Sequence, residues 1–296
     1  MPKNFVFILT EGSHDAAFIY RILKANGLKT NHSIIKDYPA PLNELFKAGL
    51  YSVPIEDLNI EAARSRFLPC YVMQKDENAI LSIYVMGGES KKEKRNEFVK
   101  TINAFTDSDT DAIQTIPGIS ISVLFFFDAD DKGIGWRISQ IKDELKFSLP
   151  DVDNADIDKI ANKEIISTGN INVGIFVFTD KGKDTGLLED ILIPMMMQEN
   201  EDIFGKAEDF LGIHREAALF RDNVEYDSTG KTKKVFGEKY YHKKSLIGTV
   251  GQLQLSGKSN VVCINDAAYL TDKKIKSNDT CVDIFLFVMK AMEQEE

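Results

Sequence analysis

Three acidic segments carry side chains whose type and spacing could do chemistry: Glu11-Gly12 with Asp15, then Asp128-Ala129-Asp130-Asp131, then Glu189-Asp190. Hard cations such as Mg²⁺ take oxygen ligands, usually one or two carboxylates completed by water and substrate phosphates. An Asp-x-Asp that leaves a strand in extended form would aim both carboxylates to one side and turn Ala129 away. Carboxylates crowded into one cleft repel, and a bound cation removes that cost. Each segment also has a plainer reading. An Asp after a strand serves as a turn or helix cap, and acids in a first helical turn complement the helix dipole. For Asp15 and for the Glu189-Asp190 pair both readings stay open. His14 reads as an exposed helix residue.

The elements that must position these residues follow from the pattern of apolar side chains. Phe5 to Leu9 is a short apolar strand running into Thr10-Glu11-Gly12. Helical spacing of Ala16, Phe18, Ile19, Ile22 and Leu23 comes next, with Ser13 as expected N-cap and Gly27 as stop. Residues 30 to 75, broken by Pro39, Pro41, Pro54 and Pro69, read as irregular, with short helices at Leu42–Ala48 and Ile55–Arg66. Ala79 to Met86 is a second strand ending at Gly87-Gly88, followed by a Lys-rich helix from Lys91 to Phe105. Ile119 to Phe127 is the most hydrophobic strand, and its continuous apolar run implies burial on both faces. A helix at Gly135–Leu145 should bury Trp136, Ile138, Ile141 and Leu145. Residues 150–170 read as an acidic loop, Val173–Phe178 as a strand and Thr185–Met197 as a helix. The rest is expected to be helical at 201–211, 239–255, 264–270 and 279–293, interrupted by a polar hairpin or loop near Asp227–Lys234.

Strands alternating with helices imply an α/β fold with a mostly parallel sheet flanked by helices and a mainly helical C-terminal part. In such sheets ligands sit at the carboxyl ends of the strands, and Glu11 and the Asp128/Asp130 pair each stand just past one. One domain over 1–296 is expected, with 30–78 an insertion or lid and 200–296 a helical extension packed on the core.

Composition bounds the function. The 296 residues are 43% hydrophobic and 28% charged with net charge -10, which fits a globular core and argues against a general nucleic-acid coat protein, which would need a basic face. It does not exclude a nucleic-acid enzyme. Cys70, Cys263 and Cys281 lack metal-type spacing and read as reduced thiols. The four histidines are scattered, which argues against zinc. No stretch is long enough to span a bilayer and the N-terminus is too short for a signal peptide, so a cytoplasmic protein is expected.

Taken together, Thr10-Glu11-Gly12-Ser13-His14-Asp15, Gly87-Gly88 and Phe127-Asp128-Ala129-Asp130 resemble the motifs of a Toprim domain: its Glu-Gly-x-x-Asp opening, the glycine after its second strand and its Asp-x-Asp. Trp136-Arg137-Ile138, Gly186-Leu187-Leu188-Glu189-Asp190-Ile191-Leu192 and Lys243-Lys244 narrow the resemblance to stand-alone microbial Toprim-like proteins. These are uncharacterised and related to the overcoming-lysogenisation-defect nucleases. The resemblance touches residues 4 to 290. It implies Mg²⁺ or Mn²⁺ bound by Glu11, Asp15, Asp128, Asp130, Glu189 and Asp190. It also implies action on phosphodiester bonds of DNA or RNA, with Glu11 catalytic and Lys243 or Lys244 stabilising the transferred phosphoryl group. A non-catalytic protein binding nucleotide, nucleic acid or a protein partner is the alternative, and an enzyme of a small phosphorylated compound is a third. The long 30–78 segment and the lack of any attached ATPase, helicase or DNA-binding module depart from the family.

Two basic clusters bear on this. Lys91-Lys92-Glu93-Lys94-Arg95 reads as a solvated helix face or, more sharply, as a phosphate-contacting edge. Residues 231–244, Lys-Thr-Lys-Lys-Val-Phe-Gly-Glu-Lys-Tyr-Tyr-His-Lys-Lys, interleave cations with Phe236, Tyr240 and Tyr241. Such a mixture can track a nucleic-acid backbone or form an ordinary exposed loop.

Overall fold

The computed structural model describes residues 4–51, 68–106, 118–169, 171–214, 224–226, 232–235 and 242–293. Seven strands form one sheet in the order β2-β3-β4-β1-β5-β7-β6. Its centre is parallel: β1 (Asn4–Thr10) lies between β4 (Ala79–Val85) and β5 (Ser120–Asp128), and β5 pairs with β7 (Asn172–Phe178). The edges are antiparallel, built by β2 (Lys29–Thr30) and β3 (Tyr71–Gln74) on one side and β6 (Ile165–Ser167) on the other. The sheet is therefore mixed, with a parallel middle.

The parallel strands are the apolar runs legible in the sequence, and they are buried on both faces as a parallel sheet requires. One face carries Val6, Ile8, Leu124, Phe126, Phe176 and Phe178 against α1 (Ser13–Ala25) and the C-terminal helices; the other carries Phe5, Phe7, Leu9, Phe125 and Phe127 against α3 (Lys92–Ala104) and α4 (Ile134–Ser148). Burying each such Phe side chain contributes about 1.5–3 kcal/mol.

Several expectations shift. Gly12, not Ser13, is the N-cap of α1, and the Asp15 carboxylate accepts the Gly12 N–H at 2.6 Å. Gly27 follows the helix at φ +96°, the left-handed stop glycine favours. α2 (Leu42–Tyr51) is longer than expected, and the Ile55–Arg66 helix lies outside the described residues. The described residues within 29–75 and 150–169 are not simply irregular. They hold β2, β3, β6 and the short α5 (Asn154–Asp158), edge elements too brief to show periodicity.

The chain after β7 is mainly helical: α6 (Glu189–Met197), α7 (Glu201–His214), α8 (His242–Gly251), α9 (Asn260–Asp266), α10 (Asp272–Ser277) and α11 (Asp279–Met292). α6 starts at Glu189 rather than Thr185, and the helix expected at 264–270 is α9, shifted N-terminally. The polar hairpin is present as β8 (Val224–Tyr226) against β9 (Thr232–Val235). Among the described residues no helix is long and apolar enough to cross a membrane.

Candidate functional site

Parallel pairing decides where the acids meet. Thr10 is in register with Val85 of β4 and Phe126 of β5, and Asp128 with Phe178 of β7. The loops that leave these strands therefore crowd one edge of the sheet. Glu11 leaves β1, Gly87 and Gly88 leave β4, Asp128 ends β5, and the loop after β7 leads to Glu189 and Asp190.

Asp128 and Asp130 do not form the expected extended pair. Asp130 turns to φ 51°, and its backbone exchanges both hydrogen bonds with Gly186 in an isolated bridge, at 3.0 and 2.9 Å. The chain thus bends at once onto the loop after β7. Asp128 Oδ1 accepts the Leu188 N–H at 2.7 Å, whereas Asp130 Oδ2 accepts from Arg137 Nη2 at 2.6 Å.

Arg137 organises one half of the site. It is 2% exposed. Its Nε donates to the Asp128 carbonyl at 2.8 Å and its Nη1 to Gln140 Oε1 at 2.6 Å. Glu11 Oε2 lies 3.6 Å from Nη2, an ion-pair distance beyond a hydrogen bond, and is buried without a hydrogen-bond partner. Burial raises the Glu11 carboxyl above its usual range, opposed by Arg137.

Arg95 supports the same half from behind. It is buried and makes a two-point pair with Glu144, Nε to Oε2 at 2.8 Å and Nη2 to Oε1 at 2.7 Å, while Nη1 donates to the Gly87 and Gly88 carbonyls. The expected solvated face at 91–95 thus hides one buried cation; Lys92 and Glu93 are exposed.

The other half is built from α1, α6 and α8. Asp15 is 5% exposed. Burial, then the nearby charges of Glu189 and Glu11, push its carboxyl up to about 7 against the Gly12 hydrogen bond. Burial and the charges of Asp15, Glu189 and Glu11 push Asp128 up to about 9, against the Leu188 hydrogen bond. These carboxylates stand in one shared field. Glu189 is also buried, and burial acts to raise it, yet the His14 hydrogen bond and the Lys244 charge hold it below its usual range. His14 Nδ1 lies 3.1 Å from Glu189 Oε1 and Lys244 Nζ 3.9 Å from the same oxygen. His14 is thus a half-buried partner of the site, not an exposed helix residue. Asp190 accepts from Lys243 at 2.5 Å and from the Leu187 N–H at 3.0 Å, one bond on each carboxylate oxygen. Phe236, Tyr240 and Tyr241 lie outside the described residues.

The donor chemistry, carboxylate oxygens with Glu11 Oε2 unsatisfied, fits a hard divalent cation. A closed coordination shell is not preformed: no group of three or more His, Cys, Asp or Glu side chains that could hold a metal ion is found among the described residues. The carboxylates are engaged by partners of their own: Asp130 by Arg137, Asp128 by the Leu188 N–H and Glu189 by His14.

Glu144 carries no expectation in the sequence, and Arg137, Arg95, Gly88 and His14 take roles there other than the ones the structure gives them. For Arg137 and Glu144 a signal existed. With Ile141, Leu145 and Ser148 they form the buried stripe of α4, charged residues at the helical spacing of a core face. Trp136 and Ile138, expected inside, are only half-buried.

The chain belongs to the DUF3226 family, described as proteins of unknown function, whose profile matches residues 6–276. No curated protein matches. Among solved structures the chain is similar to the crystal structure of hypothetical protein PH0156 from Pyrococcus horikoshii OT3. The two are 15% identical with a TM-score of 0.49, over 98% of this chain and 96% of that one.

Proposed function

We propose that this DUF3226 protein is a Toprim-like, metal-dependent phosphodiesterase acting on DNA or RNA. The observation that carries the reading is the gathering of Glu11, Asp15, Asp128 and Glu189 at one sheet edge, where burial and mutual repulsion raise the carboxyls of Asp15 and Asp128. In this reading Glu11, Asp15 and Asp128 hold Mg²⁺ or Mn²⁺, with Asp130 and Glu189 completing one or two sites. A bound ion would activate water and neutralise charge on the phosphate. Glu11 orients the attacking water. Lys244, above Glu189, faces the charge that develops on the phosphoryl oxygens. Asp190 anchors Lys243 beside it.

Alanine at Glu11 or at Asp130 is expected to abolish Mg²⁺- or Mn²⁺-dependent cleavage of DNA or RNA. Cleavage unchanged in both variants sinks the assignment. The net charge of -10 favours one rival, a non-catalytic Toprim-fold protein that binds nucleotide, nucleic acid or a protein partner. Binding without turnover across several divalent metals would select it.

A further inference from the structure

The carboxylates of the site have partners within the chain. Two of them, Asp130 and Glu11, are turned to a single guanidinium, and the question is which side of that contact can move. Arg137 is held at several points. Its Nε and Nη1 are tied to the Asp128 carbonyl and to Gln140, its guanidinium lies 5.2 Å from the Trp136 ring and 5.7 Å from the Phe127 ring, and its side chain is 3% exposed. The carboxylates are looser, with side-chain exposures of 40% for Asp130 and 30% for Glu11. Only Nη2 faces them. A guanidinium does not lose its charge in a protein, so this cation is permanent and cannot be titrated away.

We infer that Arg137 is a resident counter-cation that competes with a divalent ion for Asp130 and Glu11, and that the site loads metal by swinging these two carboxylates off a fixed guanidinium. The inference rests on the metal-site reading proposed above. It accounts for an oxygen-rich cluster that fits a hard cation in chemistry and yet has no closed shell. The two groups that would close the shell are engaged with a charge the chain supplies itself. Arg137 is a positioning residue in this scheme. It sets the affinity for the ion and keeps the acids oriented without it.

The test is Mn²⁺ binding by calorimetry on the full chain, with turnover not needed. Arg137→Gln is expected to bind Mn²⁺ about tenfold more tightly than the wild type, within the ordinary range of coupling between sites. Asp130→Asn, which removes one of the two contested acids, should weaken Mn²⁺ binding in the wild type and should remove most of the gain in the Arg137→Gln background. That non-additivity separates direct competition from a long-range charge effect, which would survive Asp130→Asn. If Arg137→Gln gives no cooperative thermal transition, Arg137→Lys serves instead. Its single ammonium cannot hold the Asp128 carbonyl, Gln140 and Asp130 together, so tighter Mn²⁺ binding is again expected. Equal or weaker binding by the folded variant, or a gain that survives Asp130→Asn, overturns the inference alone. Failure of wild type and variant alike to bind Mn²⁺ overturns the metal reading, and this inference with it.

Discussion

Gly88 lies against Glu11 so closely that a Cβ at position 88 would meet Glu11 Oε1 at 2.6 Å and its Cδ at 3.2 Å. The loop after β4 thereby bounds one side of the space in which the first acid of the site can move, and Arg95, donating to the Gly87 and Gly88 carbonyls, fixes the loop. Gly88 itself has an ordinary φ of -77°, so an added methyl meets the carboxylate and no backbone strain. Gly88→Ala is therefore expected to displace Glu11 with little loss of fold: a stability cost of about 1 kcal/mol, at the low end for overpacking because the atom struck ends a side chain that can move. Mn²⁺ binding and any cleavage should fall far more than that. Thermal unfolding and calorimetry measured side by side check the contrast, and an unchanged Mn²⁺ affinity would refute the coupling.

Breaking the support behind the loop has the opposite profile. Arg95 and Glu144 are 2% and 7% exposed. Removing one partner leaves a charge buried without its match, a loss of about 3–5 kcal/mol. Glu144→Ala should show that loss in urea unfolding. The exposed pair Lys206–Asp202 gives the comparison, with side chains 74% and 78% exposed; Asp202→Ala should cost no more than about 0.5 kcal/mol.

The raised carboxyls of Asp15 and Asp128 set a pH dependence with a definite sign. In the unfolded chain both carboxyls ionise near the ordinary Asp value of about 3.9. In the folded chain they are raised, to about 7 and about 9. The folded state then binds more protons between those limits, so this stability is fully present below the unfolded value and is lost as pH rises through the folded ones. The thermal midpoint should decline from about pH 5 to about pH 9, and the decline should be shallower in Asp128→Asn. Divalent metal, by replacing the protons, should restore most at the alkaline end. A slope identical in wild type and Asp128→Asn would remove Asp128 as its source.

How much of this was legible in the sequence depends on what each feature's signal is made of. β1, β4, β5 and β7 were placed within a residue or so because continuous apolar runs such as Val123 to Phe127 have one good home, the middle of a parallel sheet. Their shared polarity then put Glu11 and Asp128 on one edge. β2, β3 and β6 were missed because two to four residues at a half-covered edge carry no period. The local geometry of Asp130 was also beyond reach. Its turn is imposed by the bridge to Gly186, a contact between loops that no local propensity encodes. Arg137 and Glu144 hid behind a habit of reading charge as surface, although their spacing with Ile141 and Leu145 is that of a buried face.

The adjacent lysines of α8, alternatives in the sequence, are separated by their surroundings. Lys243 is committed to Asp190, whose other oxygen accepts the Leu187 N–H at the start of α6. It ties α8 to α6 and stands with the scaffold. Lys244 stands nearer the chemistry: its charge acts on Glu11, Asp15 and Glu189 together. A cation that three site carboxylates feel is placed to answer charge growing on a phosphoryl oxygen bound among them. Lys244→Ala is therefore expected to lower kcat for Mg²⁺-dependent cleavage by roughly a hundredfold, the usual loss for one such donor. Lys243→Ala should lower kcat much less and register instead as a modest drop in thermal midpoint. Steady-state kinetics on both variants decide between them, and the reverse ranking would assign the role to Lys243.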